Sequence, residues 1–214
     1  MTPTQSLPGM SAVRRGLDVD DGGAQIRAQL SLTTDISLAP AELWPLLSTA
    51  EGLEPWYGTV TGDLREGGSF QAPGGVAGRI LEVEAPHKLA LTWGRGGAAE
   101  PLLISVDPED DGTSQVRLRH TVTMERTEFE RIGPGPVAVG WEIILWSLAA
   151  ATGSWSGTCP DPIAPPTAQW LSGPEGQDHV RAWSVRWAAQ AVAAGVDEAT
   201  ARRGERATAD AYGA

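Results

Sequence analysis

The sequence predicts an α+β domain in which a curved antiparallel sheet wraps around one long helix, with a helical extension after it. Two Gly-Pro pairs occupy residues 133–136, and no helix breaker follows until Gly153, so a long helix should begin near Pro136. Apolar residues cover nearly its whole circumference, which is typical of a buried helix. The segments before it alternate apolar and polar residues and are joined by short polar turns, as in an antiparallel sheet that could surround the helix.

Composition limits the kind of protein and of partner. The chain has 214 residues, of which 41% are hydrophobic, enough for a real core. A net charge of -11 argues against nucleic acid or an anionic membrane surface as partner, because both need a basic face. No apolar run reaches the length of a signal peptide or the roughly 20 residues of a membrane span. We therefore expect a cytoplasmic protein that binds neither nucleic acid nor membrane.

Cysteine and histidine usage predicts no metal site. The single Cys159 cannot form an internal disulfide, and no Cys/His cluster has zinc-ligand spacing. The three histidines, at positions 87, 120 and 179, are scattered along the chain. We expect no metal and no other cofactor.

The first part of the chain divides into a leader and the start of the domain. Residues 1–24 are rich in Gly, Pro, Ser and Asp and are predicted to be a flexible leader. Gln25–Ile36 alternates apolar and polar residues and is predicted to be a half-buried strand. Residues 38–47 and 50–57 have helical spacing, and Pro40 marks the entry to the first of these short helices.

The middle and the end of the chain predict a meander and a group of helices. Further strands are expected at 59–64, 69–72, 76–84, 88–95, 102–106 and 114–124, followed by a polar helical linker at 125–132. After the long helix, a Gly/Pro-rich stretch leads to helices at 167–171, 175–194 and 197–212, the last with Asp197 as its N-cap. The predicted organisation is a leader at 1–24, a domain at 25–152 and a helical extension at 153–214 packed on the domain.

This order of elements resembles the helix-grip fold of the START-like (SRPBCC) superfamily. Residues 36–44 (ISLAPAELW), 62–70 (GDLREGGSF), 78–93 (GRILEVEAPHKLALTW) and 139–141 (VGW) are similar to motifs of the branch named for the activator of the heat-shock-protein-90 ATPase. The tail, with AAGVDEATAR at 193–202, resembles extended bacterial members. The resemblance implies a cavity between the concave sheet face and the long helix. It implies no single activity, because the superfamily spans carriers, cyclases and oxygenase domains.

Strand alternation and helical spacing indicate which side chains face such a cavity. Leu118 and His120 lie on the apolar face of one predicted strand, and Leu91 and Trp93 share a face on another. Each aromatic residue could equally belong to an ordinary core, since aromatic side chains bury about 150–250 Å² in either role. The predicted ligand-binding residues are Trp56, Tyr57, Phe70, Leu91, Trp93, Leu118, His120, Trp141, Ile144 and Leu145.

Three of the polar residues are candidates for catalysis. His120 could transfer a proton or anchor a ligand, or it could be a core histidine with satisfied hydrogen bonds. Tyr57 carries a hydroxyl that could orient a ligand. Glu142 would be an acid or base if it faced the cavity, but beside Trp141 it is expected to point to the solvent edge or to pair with an arginine. Arg79 either lines the cavity as an anion anchor or belongs to an ion pair.

The leading functional hypothesis is the binding of a small hydrophobic or aromatic molecule with no obligatory chemistry, because few polar groups converge on the predicted pocket. The enzyme motifs GxSxG and HExxH and a phosphate-binding glycine loop are absent from the sequence. One alternative is a cyclase-like or hydrolase-like enzyme that uses His120, Tyr57 or Glu142. Another is a chaperone-associated interaction module, as the branch's name suggests.

The C-terminal extension is expected to be covered by other apolar surface. Trp170, Trp183 and Trp187 give it more aromatic surface than is usually left in water. It should therefore pack on the domain, cap the cavity or form a homodimer contact.

Overall fold

A computed structural model describes residues 7, 9–155 and 163–213, and within them the strands form one antiparallel sheet. The strand order is β1-β2-β8-β7-β6-β5-β4-β3. Cys159 lies outside the described residues. The strands are β1 (Val13–Asp21), β2 (Gln25–Ile36), β3 (Thr61–Gly62), β4 (Ser69–Ala72), β5 (Val76–Glu84), β6 (Lys88–Arg95), β7 (Glu100–Pro108) and β8 (Ser114–Glu125).

The helices come in three groups along the chain. The first group follows β2, the second follows β8, and the third forms the C-terminal extension. They are α1 (Pro40–Ser48), α2 (Ala50–Leu53), α3 (Arg126–Ile132), α4 (Gly135–Thr152), α5 (Ala168–Ser172), α6 (Pro174–Ala193) and α7 (Glu198–Ala211). The predicted α+β fold, with a sheet wrapped around a long helix, is confirmed.

Most predicted elements occur close to their expected positions. Helix α4 begins beside Pro136 and ends at Thr152, and the next residue, Gly153, adopts a left-handed conformation with φ 64° and ψ 23° that caps the helix. Strand β3 is shorter than the predicted 59–64. Gly62 has φ 116°, and the Asp63 side chain accepts the backbone N–H of Arg65 at 3.2 Å, so the chain turns directly after two paired residues.

The N-terminal leader is the main correction to the predicted fold. Residues 13–21 are not flexible but form β1, which pairs with β2 from Val13 opposite Thr34 to Asp21 opposite Ile26. Val13 and Leu17 are buried, and Arg15 lies between them on the same face, with 5% of its side chain exposed. Because Arg15 is a charged residue at an inward position, it breaks the apolar alternation by which a strand is recognised in a sequence. Strand β1 was not predicted for this reason.

Helix α4 is the central element of the core. Among the described residues it is the one helix long and apolar enough to cross a membrane by length and composition, although no such stretch was expected from the sequence. Core helices of globular proteins pass the same test, and half of this window is buried inside the domain. On one side α4 contacts β2, and on the other it contacts α6 and α7. Helix α6 also packs on β1, so the extension contacts both the first strand of the sheet and the central helix.

Candidate functional site

A cavity of about 90 Å³ lies between the sheet and α4. The alternation of side chains along strands and the spacing of side chains along a helix determine which residues form its walls. Leu89, Leu91 and Trp93 alternate along β6 and face the same side of the sheet, and Trp141 and Leu145, four residues apart, lie on one face of α4. The cavity is lined by Leu47, Ser48, Leu53, Trp56, Tyr57, Val60, Leu64, Phe70, Ala72, Ile80, Leu89, Leu91, Trp93, Leu102, Ile104, Val116, Leu118, Trp141, Ile144, Leu145 and Leu148.

The structure places the predicted ligand-binding residues together, with one exception. His120 is not on the wall, and the nine others all are. His120 is 4% exposed and lies behind Trp141, whose Nε1–H donates to its Nδ1 at 3.0 Å. Alternation along β8 correctly indicated the face that His120 occupies, but a one-dimensional pattern does not show what covers a side chain.

Aromatic rings form a continuous chain along one side of the cavity. The ring centroids of Trp56 and Tyr57 are 5.7 Å apart, those of Tyr57 and Trp93 6.1 Å, and those of Trp93 and Trp141 5.1 Å. Phe70 lies 6.0 Å from Trp93. All of these pairs are tilted, within the range of distances at which aromatic rings attract one another. This wall offers ring faces and edges to a flat apolar molecule.

Few polar groups reach the cavity. The Ser48 hydroxyl already donates to the Trp44 carbonyl oxygen at 2.8 Å. The Tyr57 hydroxyl makes no hydrogen bond to another described residue. Burial raises the pKa of Tyr57 to about 12, against an opposing effect of the Arg95 charge, so the phenol is protonated at neutral pH and can donate a hydrogen bond.

His120 is held as a neutral imidazole. Burial lowers its pKa from 6.5 to about 4. Because Nδ1 accepts the Trp141 N–H, the proton of the neutral ring belongs on Nε2, which has no hydrogen-bond partner among the described residues. The lone pair that a general base would use is therefore occupied.

Glu142 does not face the cavity. Its Oε1 lies 2.5 Å from Arg15 Nε and its Oε2 2.9 Å from Arg15 Nη2, and only 1% of its side chain is exposed. Trp187 of α6 donates its Nε1–H to the same Oε1 at 2.9 Å. Burial raises the pKa of Glu142, and the charge and hydrogen bonds of Arg15 oppose that rise. Of the two expectations for Glu142, the solvent edge is wrong, and the arginine partner is present.

Strand β5 faces the cavity with residues that the sequence pattern did not select. Ile80 is buried on the wall, whereas Arg79 points away and donates to the Gly67 carbonyl oxygen at 3.1 Å. A register shift between Ile80 and Glu82 changes which face the following residues occupy. Alternation alone would have found Leu89 and Val116, because they continue the faces of Leu91 on β6 and of Leu118 on β8.

The C-terminal extension lies on the other side of α4. Every lining residue falls between Leu47 and Leu148, so the expectation that the extension caps the cavity is wrong for the part of it that the structure describes. Its aromatic residues surround Trp146 instead, with ring centroids 5.2 Å away for Trp170, 4.9 Å for His179 and 5.9 Å for Trp183. Helix α4 thus separates this aromatic cluster from the cavity.

Residues of the types that bind metals do not gather at the cavity or elsewhere in the described ranges. Within 7, 9–155 and 163–213, no three His, Cys, Asp or Glu side chains are placed so that they could hold a metal ion.

Comparisons with known proteins address the fold and the family. Residues 37–153 match the family model described as "Activator of Hsp90 ATPase homolog 1-like protein". The search of curated proteins found no match. Among solved structures, CalU16 from Micromonospora echinospora is similar in a crystal structure, with 24% identity, TM-score 0.61, 84% of this chain covered and 98% of CalU16.

Two further solved structures are similar at the level of the fold. The solution structure of CalU16 has 24% identity and TM-score 0.64, and the match covers 91% of this chain and 100% of CalU16. A conserved protein of unknown function from Enterococcus faecalis has 16% identity and TM-score 0.52, with 71% of this chain and 81% of the other covered. At these identities the likeness shows the shared fold alone.

Proposed function

The chain belongs to the Activator of Hsp90 ATPase homolog 1-like family of the START-like superfamily, and from this we propose that it binds a small apolar or aromatic molecule in the cavity beside α4, with no obligatory chemistry. The observation that carries the proposal is the composition of the wall. Apolar and aromatic side chains supply nearly all of it, and its side-chain polar groups without a hydrogen bond among the described residues are the Tyr57 hydroxyl and the Trp93 indole N–H. Such a wall gains free energy by removing an apolar molecule from water.

The size of the cavity limits the ligand. Binding pockets for drug-sized molecules measure about 300–1,000 Å³, and a dry apolar cavity of about 150 Å³ is known to bind benzene. At about 90 Å³, this cavity is smaller than either. We therefore expect a compact molecule of one ring to bind with a small outward movement of Tyr57 and Trp93, and a molecule of two rings with a larger one.

Turnover has less support than binding. Glu142 is held by Arg15 on the other side of α4, and Nδ1 of His120 is occupied by Trp141. Tyr57, with a pKa of about 12, does not act as a base near neutral pH. Of these three groups, none both faces the cavity and is ready to accept a proton near neutral pH.

The test compares a variant that fills the cavity with one that carries the same change outside it. In Leu118→Trp the larger side chain occupies the cavity, and in Leu81→Trp it is placed on the exposed outer face of β5. Isothermal titration calorimetry with 2-naphthamide should show binding to the wild type and to Leu81→Trp, and at least tenfold weaker binding to Leu118→Trp. Circular dichroism shows whether each variant is folded, and Ile144→Trp fills the cavity from α4 if Leu118→Trp does not fold.

Native mass spectrometry of the freshly purified protein tests the same proposal without a chosen probe. A defined small molecule at stoichiometric occupancy, absent from Leu118→Trp, would support it. Equal binding of 2-naphthamide by the wild type and both cavity-filling variants would contradict it, because the probe would then bind elsewhere.

A chaperone-associated role is a second proposal, favoured by the family description alone. Addition of the protein to purified Hsp90 should then change its ATPase rate. An unchanged rate over a range of protein concentrations, together with no complex in analytical ultracentrifugation, would count against this role.

A further inference from the structure

Arg95 continues the cavity-facing side of β6 to the cavity mouth. Leu89, Leu91 and Trp93 all line the cavity, and Arg95 is the next residue of that alternation, at the end of the strand. Its side chain is exposed and lies over the turn at Pro73–Gly75, where Nη2 would be 3.0 Å from a Cβ added to Gly74. That turn directly follows Ala72, which is itself a lining residue.

The guanidinium of Arg95 has no counter-ion in the described part of the chain. No carboxylate lies within 4.0 Å of it, and it makes no hydrogen bond to another described residue. Arg119 likewise has no acidic partner among these residues, so Arg95 is distinguished by its position next to the cavity. The protein as a whole has a net charge of -11, but at the mouth of the cavity Arg95 supplies a positive charge that could attract an anion.

The Tyr57 ring lies beside this end of β6, with its centroid 6.1 Å from that of Trp93, and the hydroxyls of Tyr57 and Tyr212 are both within the electrostatic reach of Arg95. Its charge opposes the rise that burial causes in the pKa of Tyr57 and in that of Tyr212. The Tyr212 hydroxyl is already used, because it donates to the Pro136 carbonyl oxygen at 2.9 Å. The Tyr57 hydroxyl is on the cavity wall and has no such acceptor among the described residues. A charged donor and a neutral donor are therefore both available at one mouth.

We propose that this mouth binds the carboxylate of the ligand while the ligand's apolar body fills the cavity, with the Arg95 guanidinium paired to the carboxylate and the Tyr57 hydroxyl donating to it. This inference rests on the proposed function and narrows the ligand class to monocarboxylic acids with a compact aromatic or alicyclic body. A guanidinium matches a carboxylate in shape and charge. The charge also stays at the open end, so only the apolar part loses its water.

The test uses two probes of the same shape that differ in charge. The carboxylate 2-naphthoate and the neutral amide 2-naphthamide are titrated into the wild type and two arginine variants by isothermal titration calorimetry in 150 mM salt. We expect the wild type to bind 2-naphthoate about five- to tenfold more tightly than 2-naphthamide, the size of one partly screened charged pair. In Arg95→Gln this preference should disappear while the affinity for 2-naphthamide is unchanged.

Arg119→Gln is the matched control. Arg119 is an exposed arginine on the outward face of β8, so its loss changes the net charge equally but not the mouth. This variant should keep the preference for 2-naphthoate. Tyr57→Phe should weaken 2-naphthoate about threefold, because the carboxylate loses one hydrogen-bond donor.

The possible failures are distinguishable. Equal affinity of the wild type for both probes, an equal loss of both in Arg95→Gln, or the same loss of preference in Arg119→Gln would overturn the carboxylate site and leave the proposed function in place. If the wild type binds neither probe, the proposed function fails, and this inference fails with it.

Discussion

Removing one member of the Arg15–Glu142 pair should destabilise the protein at least as much as removing both. The perturbation is Arg15→Met, Glu142→Met and the double variant, since methionine has a length similar to both side chains. The two charges are 5% and 1% exposed and are bonded through two N–O contacts of 2.5 and 2.9 Å. Each single change leaves a charge buried without its partner, or forces that group to become neutral.

The magnitudes follow from what each variant leaves unpaired. Loss of one member of a buried ion pair typically costs about 3–5 kcal/mol. The double variant leaves no buried charge, but it loses the Arg15 Nη1 bonds to the Met10 and Val13 carbonyl oxygens and leaves the Trp187 N–H without its acceptor. At about 1 kcal/mol for each of these three hydrogen bonds, the double variant should lose about 3 kcal/mol in total. The sum of the two single changes is about twice that or more.

Equilibrium urea denaturation followed by circular dichroism measures the free energies of unfolding. A neighbouring surface pair provides the control. Arg14 and Asp35 lie 3.3 Å apart, but their side chains are 56% and 54% exposed, so Arg14→Met and Asp35→Asn should each cost no more than about 1 kcal/mol.

Additivity would refute this reasoning. If the double variant loses the sum of the two single losses to within about 0.5 kcal/mol, the two side chains act independently. If either single variant at the buried pair is as stable as its surface counterpart, burial of the charge is not what makes the pair important.

Three further predictions concern stability. Because the pKa of His120 falls from 6.5 in the unfolded chain to about 4 in the fold, the unfolded chain alone binds this proton between those values. This contribution to stability is therefore complete above pH 6.5 and falls by about 3 kcal/mol as the pH falls to 4, and urea titrations should show that His120→Gln removes this part of the pH dependence. Trp183→Ala should cost about 3–5 kcal/mol, while Val185→Ala on the exposed side of the same helix should cost less than about 0.5 kcal/mol, both by urea denaturation. In Gly78→Ala the added Cβ would overlap the Thr92 carbonyl oxygen, so the melting temperature should fall by about 3–9 °C, whereas an unchanged value would show that the strands can separate without cost.

The sheet and its central helix could be predicted because their signals are local. Strand β2 alternates over its full length, and α4 is delimited by Pro136 and Gly153, each of which acts through its own backbone geometry. Strand β1 could not be recognised in the same way. Its inward Arg15 is explained only by Glu142, which lies 127 residues later, and no local pattern contains that information.

The cavity wall could be predicted in part for the same reason. Period-two alternation selected Leu91, Trp93 and Leu118, which the structure places on the wall. On β5 the apolar residues Leu81 and Val83 favoured the odd-numbered face, but a bulge before Glu82 changes the parity, and Ile80 is the lining residue. A bulge depends on the pairing with β6 and not on the β5 sequence alone.

The joining of three distant chain segments at Glu142 also orders events during synthesis. Arg15 is made 127 residues before Glu142, and Trp187 follows 45 residues after it. At about 5–20 residues per second, the nascent chain carries an unpaired Arg15 for about 6–25 s before its partner exists. Until then, the inward Arg15 of β1 has no carboxylate with which to form its buried ion pair. Strand β1 is therefore synthesised well before the carboxylate that pairs with its inward arginine.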